Sequence, residues 1–427
     1  MGKSFSWRIQ QFFGNPFIPF ALCLYACFLI NGAGSIAIAQ NMNFLMEQWH
    51  TDESVIAWVI SGNAIGRLLS YYVAGYLSDK FGRKNLLWAA IVFYSVFFIG
   101  ILLSPSANIA FVFAVIGGFG NACFDTSVYP SLKEMFPISS DSAVVFCKAA
   151  VSLGQMGYSL FMAFLIAGNF WFGYAFTIPV LLLVFFGVVA FLMKLPPLPH
   201  VDQGGEGCDE GDSFVQMTFK RLPKVSVEGV LVVLFGCGSF SSFYSFVVWI
   251  SKYSQNVALM TADAAQRTVT YYGLGSLICI MISAYLLNRF VRSVFIMVVF
   301  PVIAAISALM LYLYPVGWVC NVVAFVIGFT ASGGLLQLGI SVLMQFFPKG
   351  KAKTVSVYMI MSSLASSGVI YLLGKVALIG LSYIMLCNAG ISLLTAVFGV
   401  IIFVRFYRIF TINASDFRWG ERLFLDR

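Results

Sequence analysis

Unbroken apolar runs of about 20 residues recur along the whole chain, and little else about the sequence constrains its fold so tightly. Twelve are legible, near 17–39, 55–77, 86–103, 109–131, 141–167, 171–193, 227–250, 268–287, 294–314, 317–345, 355–378 and 381–404. With 60% of residues apolar and 10% charged, too few polar side chains remain to cover a water-facing surface, so lipid must be the solvent for most of it. Hydrocarbon offers backbone N–H and C=O groups no outside partner, which forces each run into a helix. A membrane β-barrel would instead alternate apolar and polar residues in shorter segments. The expected fold class is an all-α membrane protein of twelve transmembrane helices.

The net charge of +8 does not indicate nucleic-acid binding, because the basic residues sit in short loops between apolar runs. With both termini on the cytoplasmic side, Lys3, Arg8, Lys80, Arg83, Lys84, Lys194, Arg289, Arg292, Lys349, Lys351, Arg405 and Arg408 all fall inside. Lys252, Arg267 and Lys375 remain outside. This positive-inside bias predicts a multi-pass protein of the cell inner membrane. Lys3 and Arg8 also resemble the flank of a secretory signal, but the run from 17 to 39 shows no convincing cleavage site and reads as a retained first helix. The nine cysteines form no CxxC pair, and His50 and His200 lie in loops, so neither a disulfide framework nor a metal or other cofactor is expected.

The hydrophilic stretch 195–226, with LPPLPH followed by GGEGCDEGD, reads as a flexible cytoplasmic linker. It separates a six-helix unit over 1–194 from a second over 227–427, which ends in a short tail. The two are related: Ala-Gly-Tyr-Leu-Ser-Asp-Lys-Phe-Gly-Arg from residue 74 lies opposite Ser-Ala-Tyr-Leu-Leu-Asn-Arg-Phe-Val-Arg from residue 283. Phe136-Pro137 likewise lies opposite Phe347-Pro348. Parallel repeats with a site at their interface near mid-membrane are the layout expected of a secondary transporter.

The segment Gly75-Tyr-Leu-Ser-Asp79-Lys-Phe-Gly82-Arg83-Lys84, between the second and third runs, resembles the signature loop of the major facilitator superfamily. That resemblance implies two pseudo-symmetric six-helix bundles, a monomer, and a loop that latches the bundles during alternation rather than touching substrate. In the second copy Asn288 and Val291 replace the acid and the glycine, which puts its gating role in doubt. The fifth run, Val151-Ser-Leu-Gly154-Gln-Met-Gly157-Tyr, lacks the proline of the Gly-Pro element found in drug-proton antiporters of the superfamily.

Ionisable residues inside the runs are costly and mark a pathway by default. Arg67, Asp125 and Lys148 each lie 11 or 12 residues from an inner turn, about 18 Å along a helix and so near the midplane. The fourth and fifth runs form a hairpin about Pro137, which lets Asp125 and Lys148 face one another. Two readings stay open: Asp125 as proton carrier with the cations as partners or substrate anchors, or a static ion pair fixing helix register. Asn31, Asn121, Tyr129, Gln155, Gln337 and Tyr358 are further candidates for the cavity wall, as are Trp249, Tyr271 and Tyr272. Gly117, Gly118, Gly120, Gly333, Gly334 and Gly339 read as sites of close helix approach.

The expected function is secondary active transport of a small polar solute, organic-acid or sugar-like, by alternating access and with a proton as co-substrate. A uniporter or exchanger is the alternative, and a transport-like sensor a further one, though 195–226 and the tail are small for an output module. No enzyme activity is expected, since no His or acidic cluster marks a membrane face. The absence of a phosphate-cradling Gly-rich loop with Lys-Ser/Thr leaves ATP-driven transport unsupported.

Overall fold

A computed structural model of the protein describes residues 17–136, 140–193, 218–219, 223–289, 292–332, 334–347 and 351–411. The first bundle comprises α1 (Ile18–Gln40), the short α2 (Met42–Trp49), α3 (Glu53–Phe81), α4 (Arg83–Leu103), α5 (Ala107–Met135), α6 (Ser140–Ala167) and α7 (Tyr174–Leu192). The second comprises α8 (Val230–Asn256), α9 (Ala262–Arg289), α10 (Ser293–Leu313), α11 (Gly317–Ile327), α12 (Leu335–Phe346), α13 (Lys351–Ile379) and α14 (Ser382–Ile409). With α11 and α12 as two parts of one crossing and α2 as an appendage to α1, each bundle crosses six times. Most of the linker expected at 195–226 lies outside the described residues, as do the side chain of Asp79 and those of 283–291. The short strand β1 (Thr218–Phe219) pairs antiparallel with β2 (Phe410–Thr411), joining the far end of the linker to the end of α14.

Among the described residues, ten segments are long and apolar enough to cross a membrane by themselves. The long helix α3 is not among them. It carries Glu53, Arg67 and Lys80 along its length. It packs along α13, as α9 does along α6, so each turns a face to the opposite bundle.

Glycines set the crossings within each bundle, and they repeat between bundles. A Cβ at Gly66 would run into the carbonyl of Val115, and one at Gly118 into the carbonyl of Asn63, so α3 and α5 cross backbone to backbone. In the second bundle a Cβ at Gly275 would meet the carbonyl of Phe325, and one at Gly328 that of Tyr272. Gly66 and Gly275 are 209 residues apart, Gly118 and Gly328 are 210, and the signature residues Asp79 and Asn288 are 209. Small residues are what allow helix backbones to approach in lipid, where apolar burial supplies no force between helices.

The tenth crossing departs from the single helix predicted over 317–345. After Ile327 the backbone widens into a π turn over Gly328–Ser332, and α12 restarts after Gly334, whose φ of +155° is a conformation open to glycine. Non-helical backbone at this depth is tolerated where it lines a cavity rather than lipid, and Gly334 lies on the cavity described below.

The bundles meet tightly at the end where α1 finishes and α3 begins. Asp52 caps α3, its Oδ1 accepting from the N–H of Ser54 and Val55 at 3.0 and 3.1 Å. The Ser54 hydroxyl and these amides hold its carboxyl below the usual carboxylate range, so the cap is complete at neutral pH. Beside it Lys252 of α8, only 9% exposed, donates to Asn43 Oδ1 at 2.6 Å and pairs with Glu53 at 3.4 Å. Asn43 also donates to Gln255, and Gln266 to the Gln40 carbonyl. Gly374 of α13 sits against Ser54 and Ala57 of α3. Toward the other end the same two helices expose Leu69, Tyr72 and Tyr76 on α3 and Val357 and Met361 on α13. The bundles are therefore tied together at the Asp52 end, while these α3 and α13 side chains are exposed toward the Gly82 end.

Two outcomes test this architecture. Gly118→Leu is expected to cost about 1–3 kcal/mol through overpacking, read as a lower melting temperature in detergent. Lys252→Met is expected to loosen the Asp52 end by leaving Glu53 without its cation. Spin labels on His50→Cys and Thr261→Cys, one on each bundle, then show a longer distance population than in the parent protein.

Candidate functional site

A cavity of about 350 Å³ lies between the bundles at mid-depth. That is enough for a small solute. Its first-bundle wall comes from α1, α3, α5 and α6, and its second-bundle wall from α8, α9, α12 and α13.

The first wall carries the charge. Arg67 Nη2 of α3 donates to Asp125 Oδ2 of α5 at 2.9 Å. Tyr71, one turn beyond Arg67, accepts from the same Nη2 at 2.9 Å and donates to the same Oδ2 at 2.5 Å. The Arg67 and Asp125 side chains are 24% and 18% exposed, so a charge on either is largely cut off from water and persists only with a partner. Arg67 Nε is buried without one. Lys148 of α6 lines the same cavity, but among the described residues none forms an ion pair with it. Counting residues from the Pro137 turn places Asp125 and Lys148 at one level. Azimuth is what the count leaves out, and the carboxylate faces Arg67 across the Gly66–Gly118 crossing.

An amide chain extends this wall. Asn31 of α1 donates to Asn121 Oδ1 at 2.5 Å, and Asn121 donates to Asn63 Oδ1 at 3.1 Å. Gln155 donates to the Ser35 hydroxyl at 3.1 Å. The Tyr129 ring meets Phe28 edge-on at 5.4 Å. Pro130, inside α5, has no N–H to give the carbonyl four residues back. That carbonyl belongs to Thr126, and the Ser78 hydroxyl of α3 donates to it at 3.0 Å.

Among the described residues the second wall is uncharged. Gln337 of α12 and Ser362, Ser363, Ser366 and Ser367 of α13 supply its polar groups, with the Ser362 hydroxyl buried and unpartnered. Phe240 and Tyr244 of α8 stack at 5.7 Å and, with Phe243, form its aromatic part. Between the two walls the bundles touch through Ser152 and Ser276 at 3.1 Å and through the Tyr244 hydroxyl, which donates to the Ser35 carbonyl at 3.3 Å.

The structure thus brings Arg67, Asp125, Lys148, Asn31, Asn121, Tyr129, Gln155 and Gln337 to one cavity. Tyr358 is not among them. It is fully buried, its hydroxyl donating to the Leu336 carbonyl at 3.1 Å, and its ring fills the space that Cβ atoms at Gly236 and Gly339 would occupy. Trp249 and Tyr272 are likewise buried in packing, and Tyr271 does not line the cavity. Besides Tyr129, the aromatic groups that do are Phe28, Tyr71, Phe240, Phe243 and Tyr244, which sequence reasoning missed together with Asn63 and the α13 serines. Tyr71 had a usable signal, its i+4 spacing from Arg67.

The signature loop lies away from the cavity. Gly82 joins α3 to α4 with a φ of +85°. Arg83 pairs with Glu134 at the end of α5 at 2.5 Å, and Lys84 donates to the Met193 carbonyl beyond α7 at 3.0 Å while lying over the Phe191 ring. These contacts stay within the first bundle. Gly75 faces open space.

The Major Facilitator Superfamily profile matches residues 22–371. Inner membrane transport protein YdiN of Escherichia coli (strain K12) is 42% identical over 415 residues, covering 97% of each chain. Inner membrane transport protein YdiM of the same strain is 33% identical over 352 residues, 82% of this chain and 85% of that one. Among solved structures, a D-xylose-proton symporter superposes with a TM-score of 0.72 at 15% identity, over 90% of this chain and 97% of that one.

The contrast between two wall candidates is testable by thermal unfolding. Tyr358→Ala is expected to cost about 3–5 kcal/mol, as large aromatic truncations in a packed core do. Gln337→Ala, whose side chain projects into the cavity, is expected to stay within about 0.5 kcal/mol of the parent.

Proposed function

The chain belongs to the Major Facilitator Superfamily, and from that premise we propose that it moves a small polar solute, organic-acid or sugar-like, across the bacterial inner membrane by proton-coupled alternating access. The observation that carries the reading is the trio Arg67, Asp125 and Lys148 on one wall of a mid-depth cavity between two bundles. A proton on Asp125 makes the site one charge more positive and weakens the hold on Arg67, whose guanidinium then faces the cavity as a donor beside Lys148. Solute and proton each favour the other's binding, and that coupling is reciprocal by linkage.

The bundle contacts at the Asp52 end, with exposed side chains of α3 and α13 toward the Gly82 end, support one state of an alternating cycle. With the orientation expected from the basic loops, this state opens to the cytoplasm. Opening the other way requires breaking the Lys252–Glu53 pair and its neighbours, while the Arg67–Asp125–Tyr71 group, wholly within the first bundle, travels as a unit. The direct Arg67–Asp125 bond also favours a second reading, in which the pair is static and the protein works as a uniporter or exchanger.

Proteoliposomes separate the two. Organic acids and sugars that raise the melting temperature of the purified protein are carried into a transport assay with a pH dye in the lumen. For a symporter, added solute acidifies the lumen, and Asp125→Asn abolishes gradient-driven accumulation while keeping solute exchange. An Asp125→Asn protein that accumulates solute as well as the parent would overturn the proton role and leave the uniport reading.

A further inference from the structure

A guanidinium and a carboxylate left to themselves settle into a fork of two parallel N–H···O bonds. Arg67 and Asp125 do not. The pair has one bond, from Nη2 to Oδ2 at 2.9 Å. Among the described residues no hydrogen bond reaches the other oxygen, Oδ1. Arg67 Nε, the neighbouring donor on the same guanidinium, is buried without a partner. A second donor and a second acceptor are thus at hand and unused.

Tyr71 holds the third corner. Its hydroxyl donates to Oδ2 at 2.5 Å and accepts from Nη2 at 2.9 Å. Both hydrogens of Nη2 are then engaged, one on each oxygen. A hydroxyl carries one hydrogen and two lone pairs, so it serves the anion as donor and the cation as acceptor at once. The Tyr71 ring is close to the guanidinium too, with Cζ 5.7 Å from its centroid.

We infer that Tyr71 is a positioning residue that wedges the Arg67–Asp125 pair open to a single bond, so that the pair parts when Asp125 takes a proton; this rests on the proton role proposed for Asp125. A full fork would make the pair static. A single bond, shared with a neutral hydroxyl, leaves less to break. The hydroxyl also covers the step that follows. As the guanidinium turns to the cavity, Tyr71 stays beside Asp125 on the adjoining helix. A carboxylic acid can donate to a hydroxyl or accept from it, so the protonated side chain is not stranded without a partner.

The repeat places this device in the first bundle alone. The residue 209 positions after Tyr71 is Ile280, and the one 209 after Arg67 is Ser276. Both line the cavity from α9. The positions face the site in each bundle, but the second lacks the cation and the hydroxyl together.

Tyr71→Phe keeps the ring and removes the wedge. The structure of this variant is expected to show a second guanidinium nitrogen within about 3 Å of Asp125 Oδ1. Its solute-free melting temperature is expected to be no lower than that of the parent. A guanidinium still on one oxygen, or a lower melting temperature, overturns the wedge and leaves Tyr71 as an ordinary hydrogen-bond partner. The functional arm uses proteoliposomes and whichever of D-xylose, D-glucose, acetate, lactate and gluconate gives the largest thermal shift. Tyr71→Phe is expected to raise the half-saturating concentration for exchange about tenfold, as for one charge-assisted hydrogen bond, and to abolish gradient-driven accumulation. With Asp125→Asn already present no carboxylate remains to fork, and adding Tyr71→Phe is expected to change exchange by no more than about twofold. A tenfold loss in both backgrounds overturns the inference by making Tyr71 a direct solute contact. Parent-like exchange and accumulation by Tyr71→Phe overturn it as well. Accumulation by Asp125→Asn alone at the parent level defeats the proton role instead, whatever Tyr71→Phe does, so the two failures are told apart.

Discussion

An ion at mid-depth in a bilayer has no water to turn to, and the site is organised around that constraint. One oxygen of Asp125 accepts from both Arg67 and Tyr71, which supplies a carboxylate with partners there. Arg67 in turn reaches Asp125 only because Gly66 and Gly118 let α3 and α5 touch backbone to backbone beside it. Larger residues at either glycine would push the helices apart and separate the charges. Packing and electrostatics are here one arrangement, since this backbone-to-backbone crossing of the first bundle is also the place where Arg67 and Asp125 meet.

The second bundle repeats the crossing without the charge. Gly275 and Gly328 reproduce the contact, but the residue after Gly275 is Ser276, where the first bundle has Arg67 after Gly66. The two bundles share a frame and divide the labour. One wall holds ions in fixed relation, and the other presents uncharged groups on a crossing whose backbone breaks at Gly334.

Much of this was legible in the sequence, and the parts that were not share a cause. The apolar runs, the repeat offsets and the basic loops define twelve crossings in two sixes because each depends on position along the chain. Depth is likewise a count from a turn, so Arg67, Asp125 and Lys148 reach one level as expected. Direction around a helix axis is harder to read. In a water-soluble helix the polar face reveals it, but in lipid both the outer and the packed faces are apolar. Hence Tyr358, a candidate for the cavity wall, is packed against Gly236 and Gly339, while Tyr71 and Tyr244, which the sequence did not single out, line the cavity. For the same reason the count leaves open which of the two cations pairs directly with Asp125, and it is Arg67. The break in the tenth crossing was hidden for another reason: Gly333 and Gly334 read as a site of close helix approach, and the sequence does not show the φ that Gly334 adopts.

The Ser78 hydroxyl that closes the gap left by Pro130 has a consequence for how far the site is from the signature loop. Ser78 immediately precedes Asp79, and the carbonyl it holds belongs to Thr126, which immediately follows Asp125. One peptide bond, one hydrogen bond and one further peptide bond separate the buried carboxylate from the first acid of the loop. Measured along the helices the two look remote. Along that short relay they are near neighbours, and a shift of α5 at its proline is felt directly at the start of the loop.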